Sequence, residues 1–372
     1  MIICSGSYFL LALINCNMKI IHITYAFGLG GIETMLRNIV NEQVKYGHEI
    51  HLIVINNAVN EELHDSLDKR IVFHNIGRHA GSKNPLPYVR LNMLLRAIEA
   101  DVIHLHYSSI ARFIWLPSLK KKLCVTQHDV CNAQNSKYLY KCKRIYAISN
   151  VVKQDIWDWV HLQSEVVLNG IKPELIDHSP HKENERFRIV QVSRLMHQKK
   201  GQHILIQAVH RLVTAGYTSL EVDFIGDGES KEYLRSMVLE LNLKDYVHFL
   251  GAKDQTYIFA HLHEYDLYVQ PSIYEGFGLT VTEAMAAKVP VLVSENQGPL
   301  EIIDKGKYGY SFRNQDVADC AAKIKLFLIH QNDATQIEKA YQRVLQLYDV
   351  KITANTYLEK YKEFIESDYA KI

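Results

Sequence analysis

The chain has 372 residues, 48 % apolar and 22 % charged, and its 42 Lys+Arg against 41 Asp+Glu leave a formal net charge of +1. That length exceeds what one hydrophobic core supports, so two or more domains are expected, and the composition excludes disordered, collagen-like and coiled-coil classes. With no bulk positive field and no basic patch of useful size, nucleic acid is excluded as a partner.

Residues 1–17 read as an N-terminal extension outside the fold. The apolar run Tyr8–Ile14 is too short to span a bilayer, and no Lys or Arg precedes it as a signal peptide requires. It is either an upstream-start extension or a loose membrane-touching tail. The fold is expected to begin near Met18 with a strand over Lys19–Tyr25, a loop through Gly28, Gly30 and Gly31, and a helix carrying Ile32, Met35, Leu36, Ile39 and Val40. Further strands are predicted at Glu49–Ile55, Ile71–Ile76, Asp101–His106, Leu123–Gln127, Arg144–Ser149 and Glu165–Leu168. Continuous apolar strands alternating with helices imply an α/β fold with a parallel sheet covered on both faces, a first Rossmann-like domain over 18–170.

The polar stretch 171–185, which holds two prolines, breaks the periodicity and reads as a linker. The alternation then restarts in a second Rossmann-like domain over 186–350. Its strands are predicted at Phe187–Ser193, Leu220–Ile225, Tyr246–Leu250, Asp266–Gln270, Val289–Ser294 and Tyr308–Phe312. Its helices fall near 202–215, 230–241, 254–263, 280–287 and 315–330. From about 333 the chain reads as helix, and 351–372 is expected to cross back and pack on the first domain. Two doubly wound domains in tandem imply a cleft faced by the carboxyl ends of both sheets, the expected place for chemistry.

The densest signal runs from Pro271 to Glu283 (PSIYEGFGLTVTE), after a strand and into a helix. Gly276 and Gly278 would let backbone approach a ligand, and the amino end of the helix at Leu279 and Thr280 is a ready phosphate site. Thr280 and Glu283 also have the spacing of a capping box, which needs no ligand. Capping leaves Glu275 and the exposed-looking Phe277 unexplained. A second signal, Arg194 to Gly201 (RLMHQKKG), follows the domain's first strand. Arg194 is expected to point into the cleft and, with Lys200, to clamp a diphosphate; Lys199 is the alternate, because the doubled lysine leaves the register open.

Arg194 and Lys200-Gly201, followed by Glu275-GFGLTVT-Glu283, are similar to the paired signature of the retaining glycosyltransferases of family 4, which have the GT-B fold. Gly30-Gly31-x-Glu33, Val125-Thr126-Gln127-His128-Asp129, Leu168-Asn169-Gly170-Ile171 and Phe224-Ile225-Gly226-Asp227-Gly228 resemble further family segments in the right order. The resemblance runs from Met18 to about Tyr361. It implies that Glu283 holds the ribose hydroxyls of a nucleotide-sugar donor. Glu275 and the N–H groups of Phe277 and Gly278 would hold its sugar. It further implies that Arg194 and Lys200 grip the diphosphate, that Gly30 and Gly31 approach from the other domain, and that His128 lies near the reacting carbon. The loop at Gly251-Ala252-Lys253 would meet the base.

Sugar transfer from a nucleoside diphosphate builds negative charge on the departing oxygen, and the sequence has no Asp-x-Asp to hold a metal for it. Arg194, Lys200 and the helix end at Thr280 are therefore expected to meet that charge without a metal or other cofactor. Glu275 orients and stabilises charge, with a nucleophilic role as the lesser alternative. Cys4, Cys16, Cys124, Cys131, Cys142 and Cys320 form no CxxC pair and, even with His128 between the middle three, match no usual zinc spacing. A reduced, cytoplasmic setting follows.

The expected activity is a metal-independent retaining hexosyltransferase. It would move sugar from a UDP-sugar, or next GDP-mannose, to a glycan or lipid-linked acceptor in cell-surface polysaccharide or lipopolysaccharide synthesis. Alternatives are a non-catalytic nucleotide-sugar-binding protein and a nucleotide-sugar epimerase of the same fold. A dinucleotide oxidoreductase would want a third glycine where Lys231 follows Gly226-x-Gly228. The segment Ala111–Leu123, with Phe113, Trp115 and Leu116 beside Lys120, Lys121 and Lys122, reads either as a peripheral membrane contact or as a buried helix face ending in a solvated lysine turn.

Overall fold

The computed structural model describes residues 17–28, 30–180, 185–295, 297–330 and 333–369. The extension over 1–16 and the end of the linker at 181–184 lie outside the described residues. The chain divides into two compact units: Met1–Tyr146 with Trp159–Glu165 and Thr353–Ile372, and Ala147–Asp158 with Val166–Ile352.

Every strand expected from an apolar run is present, most within a residue or two of the expected bounds. The first sheet contains β1 (Lys19–Thr24), β2 (Glu49–Asn56), β3 (Val72–Arg78), β4 (Val102–Leu105), β5 (Leu123–Gln127), β6 (Arg144–Ala147) and β7 (Glu165–Val166) in the order β3-β2-β1-β4-β5-β6-β7. The second contains β8 (Phe187–Val192), β9 (Leu220–Ile225), β10 (Val247–Gly251), β11 (Leu267–Gln270), β12 (Val291–Ser294) and β13 (Tyr310–Phe312) in the order β10-β9-β8-β11-β12-β13. Registered pairs such as β1 with β4 and β8 with β11 are parallel. The run KIIHIT in β1 is buried on both faces after its first residue, as a strand covered on both sides requires.

Both sheets reverse their winding beside the first strand of the sheet, between β1 and β4 and between β8 and β11. Doubly wound folds bind ligands outside the carboxyl ends of strands at such a point. The core of the second unit gathers Ile189, Leu205, Val222, Phe224, Leu267, Val269 and Leu292 beneath it. Around the same point in the first unit, polar side chains replace aliphatic ones.

The unit boundaries differ from those expected at 170 and 186. Ala147–Asp158 groups with the second unit because Ser149 Oγ donates to the Gly276 carbonyl (2.7 Å) and Asn150 binds the Glu301 carboxylate through backbone and side chain. The described part of the expected linker is built in too. Ile171 N–H donates to the Tyr348 carbonyl (2.8 Å), and Asp177 N–H to that of Phe259 (3.0 Å). The strand expected over Arg144–Ser149 stops at Ala147, since the Ser149 hydroxyl accepts from Val152 N–H and starts the helix Asn150–Val160. The C-terminal helix, Val350–Tyr369, carries Tyr357 and Tyr361 fully buried within the first unit.

Candidate active site

In the second unit the two sequence signals meet at the β8/β11 switch point. Lys200 ends a short helix, His197–Lys200, after β8, and its Nζ contacts Glu275 Oε2 in a close ion pair. Their side chains are only 21 % and 14 % exposed, so the pair is held in a partly desolvated setting. The doubled lysine is resolved: Lys200 makes this pair, while the carbonyl of Lys199 accepts the Ile273 N–H (2.8 Å) and so ties the two loops together.

Gly201 makes that approach possible. Its φ is +68°, and a Cβ there would sit 1.8 Å from the Pro271 carbonyl oxygen. The loop carrying Glu275 is clamped from its far side by a segment without a distinctive sequence signal. Glu275 N–H donates to Gln297 Oε1 (2.9 Å), and Gly298 N–H donates to the Glu275 carbonyl (2.8 Å). A Cβ on Gly298 would meet the Gly276 carbonyl oxygen at 2.4 Å. The glycine-proline pair opening the short helix Gly298–Ile302 was the available clue.

The helix Leu279–Ala286 follows directly, with Gly278 at its amino end and φ +109°. The capping box does not form: the residue before the helix is Gly278 and makes no side-chain cap, and Thr280 lies inside the first turn. The Thr280 hydroxyl instead lies 2.6 Å from the Tyr268 hydroxyl, which lies 2.5 Å from Gln270 Oε1, and Gln270 Nε2 reaches Glu275 Oε2 at 3.4 Å. A polar row thus supports the loop from behind. Glu283 is 7 % exposed, and burial pushes its carboxyl up to about 7, with a hydrogen bond from Gln255 opposing the shift.

One expectation needs correction. Phe277 is buried, not exposed, because its ring packs edge-on against Tyr348; it contributes backbone and anchors the loop. Arg194 does not reach the Lys200–Glu275 pair. Its side chain is 67 % exposed, and its Nε donates to Glu229 Oε2 (3.1 Å).

In the first unit Gly30 precedes the helix Gly31–Gln43 with an extended φ of −134°. A Cβ on Gly30 would lie 2.3 Å from Glu33 Oε2, so the glycine leaves room for that carboxylate, whose pKa burial raises. His128 follows β5 and is partly exposed, yet its Nδ1 is buried without a hydrogen-bond partner. Burial lowers its pKa to about 4. Its Nε2 lies 3.0 Å from His106 Nδ1, His106 Nε2 lies 3.0 Å from His22 Nδ1, and His22 Nε2 lies 2.8 Å from Gln43 Oε1. This chain of rings escaped the sequence reading, although His104-x-His106 and Thr126-x-His128 alternate onto one sheet face.

Beside it, His104 bonds Tyr361 through Nδ1 (2.5 Å) and Thr126 through Nε2 (2.8 Å). Nitrogens of His22, His104 and His106 lie within 4.8 Å of one another, the one group of metal-holding geometry among the described residues. Each of the three rings already uses both nitrogens in hydrogen bonds, so the trio is a polar core rather than a vacant cage. The segment Ala111–Leu123 is not one helix. A 3-10 turn over Ser108–Phe113 and a short helix, Pro117–Lys120, flank an exposed Trp115, and Phe113 stacks on Tyr88.

Two units, each a doubly wound parallel sheet with flanking helices, define the GT-B class of glycosyltransferase folds. Residues 29–175 match the family model "Glycosyltransferase Family 4" and residues 173–344 match "Glycosyl transferases group 1"; the chain belongs to the group 1, family 4 glycosyltransferases. It is 29 % identical over 174 residues to Protein CapJ of Staphylococcus aureus, covering 46 % of this chain and 43 % of that protein. It is 28 % identical over 168 residues to the putative colanic acid biosynthesis glycosyltransferase WcaL of Salmonella typhimurium, covering 43 % and 41 %. The chain therefore spans less than half the length of these relatives. Anabaena Alr3699/HepE, solved in complex with UDP and glucose, shares the fold with a TM-score of 0.75 at 18 % identity, covering 92 % of this chain and 99 % of that one.

Proposed function

We propose that the protein is a retaining glycosyltransferase that moves a hexose from a UDP-sugar to a glycan or lipid-linked acceptor, without a metal, in the synthesis of a surface polysaccharide. The observation that carries this reading is the Lys200–Glu275 pair, set beside the amino end of the helix Leu279–Ala286 at the switch point of the second sheet. A cation and a helix end placed together suit a departing diphosphate, and a carboxylate one hydrogen bond away suits the positive charge growing on the sugar. The UDP and glucose bound in the Anabaena protein favour UDP as the nucleotide, and the name of the Salmonella relative favours a polysaccharide product.

In this scheme the acceptor hydroxyl forms a bond to the anomeric carbon on the face from which the diphosphate leaves. The carbon–oxygen bond to phosphate breaks, and a phosphate oxygen takes the acceptor's proton. Lys200 and Arg194 receive the diphosphate, Arg194 leaving Glu229 to do so. Glu275 and the backbone of Gly276, Phe277 and Gly278 orient the sugar. Glu283 accepts from the ribose hydroxyls, and Gly30, Gly31 and His128 keep the roles that the resemblance implies for them. Among the described residues no helix is long and apolar enough to cross a membrane; contact with a bilayer would be peripheral, through exposed Trp115 and its neighbouring lysines.

The test is a thermal-shift screen against UDP-, GDP- and ADP-sugars, followed by a transfer assay on the donor that binds. Release of nucleoside diphosphate that requires an acceptor and continues in excess chelator supports the reading. Binding without release, conversion of the donor without an acceptor, or an absolute Mg²⁺ or Mn²⁺ requirement contradicts it.

A further inference from the structure

The rings of His22, His106 and His128 form one continuous hydrogen-bonded line that starts at Gln43. Gln43 and His22 are wholly buried and His106 nearly so. Burial drives the pKa of all three histidines well below the usual value, so at neutral pH each ring is uncharged and carries a single proton. A neutral imidazole is donor on one nitrogen and acceptor on the other. In such a line the choice made at one end dictates every ring that follows.

At the inner end, Gln43 turns Oε1 to His22 and Nε2 toward the Tyr361 hydroxyl, without closing a hydrogen bond of normal geometry there. Because Oε1 only accepts, His22 must hold its proton on Nε2. His22 Nδ1 then accepts from His106 Nε2, and His106 Nδ1 accepts from His128 Nε2. At the outer end His128 Nδ1 is left with a lone pair and no partner, in agreement with its orphaned state. The orientation of the Gln43 amide sets this polarity; turned over, it would reverse the line and put an unpaired N–H at His128 Nδ1.

We propose that Gln43, His22 and His106 are positioning residues that fix the tautomer of His128, with its proton on Nε2, so that Nδ1 is offered as a hydrogen-bond acceptor to a saccharide hydroxyl. The assignment of that hydroxyl rests on the reading of His128 as part of the transfer site; the tautomer itself does not. Gln43 lies at the far end of the helix that starts at the Gly30-Gly31 loop and acts only through the two intervening rings. A neutral histidine is useful here because it discriminates direction: it can take a hydroxyl proton in a hydrogen bond without placing a charge beside the sugar.

The experiment is ¹⁵N–¹H correlation of the histidine ring nitrogens at neutral pH in the intact protein without substrate. The His128 signals are assigned by their loss in His128→Ala. The expected result is a single His128 tautomer with Nε2 protonated. In Gln43→Met, which keeps the side-chain length but removes the acceptor, both tautomers should appear and kcat should fall by about 10–100-fold, the usual effect of losing a group that orients a functional histidine. Nucleotide affinity should be unchanged. His128 protonated on Nδ1, or already mixed, in the unsubstituted protein overturns the proposal, and so does a single unchanged tautomer in Gln43→Met. The first of these does not depend on Gln43→Met folding. If the tautomers behave as expected but His128→Ala transfers at the normal rate, the relay stands and the role of His128 in transfer fails.

Discussion

Replacing Gly201 by alanine tests whether the backbone contact between the two loops sets the Lys200–Glu275 pair. Alanine at a φ of +68° has the left-handed conformation, which costs roughly 1–2 kcal/mol for a residue with a Cβ. Its Cβ would also lie 1.8 Å from the Pro271 oxygen and 2.7 Å from the Pro271 carbonyl carbon, both backbone atoms that no rotamer change can move. Relief requires the loops to part by more than ~1 Å, a displacement that can cost about 10²-fold when it falls on catalytic groups. Gly216→Ala provides the comparison, since Gly216 has a φ of +90° with nothing within 4 Å of a Cβ. Both variants should lose stability in denaturant titration, Gly201→Ala more. In transfer assays Gly216→Ala should retain its rate while Gly201→Ala falls about 100-fold. A Gly201→Ala enzyme within a few-fold of normal, destabilised no more than Gly216→Ala, would refute the argument.

Glu275→Ala and Arg194→Ala should each lower transfer by ~10²-fold or more while circular dichroism stays native, and near-normal turnover in either removes that residue from the site. Since burial holds the free Glu283 carboxyl at about 7 and ribose hydroxyls would bind its charged form, nucleotide binding near pH 6.5 should release a proton. Calorimetry in buffers of different ionisation enthalpy reads this directly, and an absence of buffer dependence argues against the contact. Acid should destabilise the first unit. His22 titrates near 4 in the fold against 6.5 when unfolded, so the unfolded chain binds the proton first and stability is lost as pH falls from 6.5 toward 4. At pH 5 this is about 2 kcal/mol for His22 alone. His104, His106 and His128, in the same unit, add to it. Urea midpoints that do not move between pH 7 and 5 would show that these rings are not buried neutral.

The strands were legible because parallel strands covered on both faces are plain apolar runs, as in KIIHIT and in Val291–Ser294. The pairing of Lys200 with Glu275 was legible as two separate motifs, although only the observed ties between the loops decide which lysine makes it. Phe277 misled, because its contact with Tyr348 joins residues 71 positions apart that no local pattern connects. The outward turn of Arg194 depends on Glu229, which belongs to another loop. The histidine line was hidden for a related reason. His22, His106 and His128 lie in or just after apolar strands and, one at a time, look like ordinary core histidines; only sheet order β1-β4-β5 makes them neighbours.

The most direct measurement is a crystal structure of the protein with its nucleoside diphosphate bound. The phosphate oxygens should lie within hydrogen-bond distance of Lys200 Nζ and of an Arg194 guanidinium released from Glu229, at the amino end of the helix Leu279–Ala286. A diphosphate bound elsewhere, with Lys200 still closed on Glu275 and Arg194 still on Glu229, would contradict the assignment.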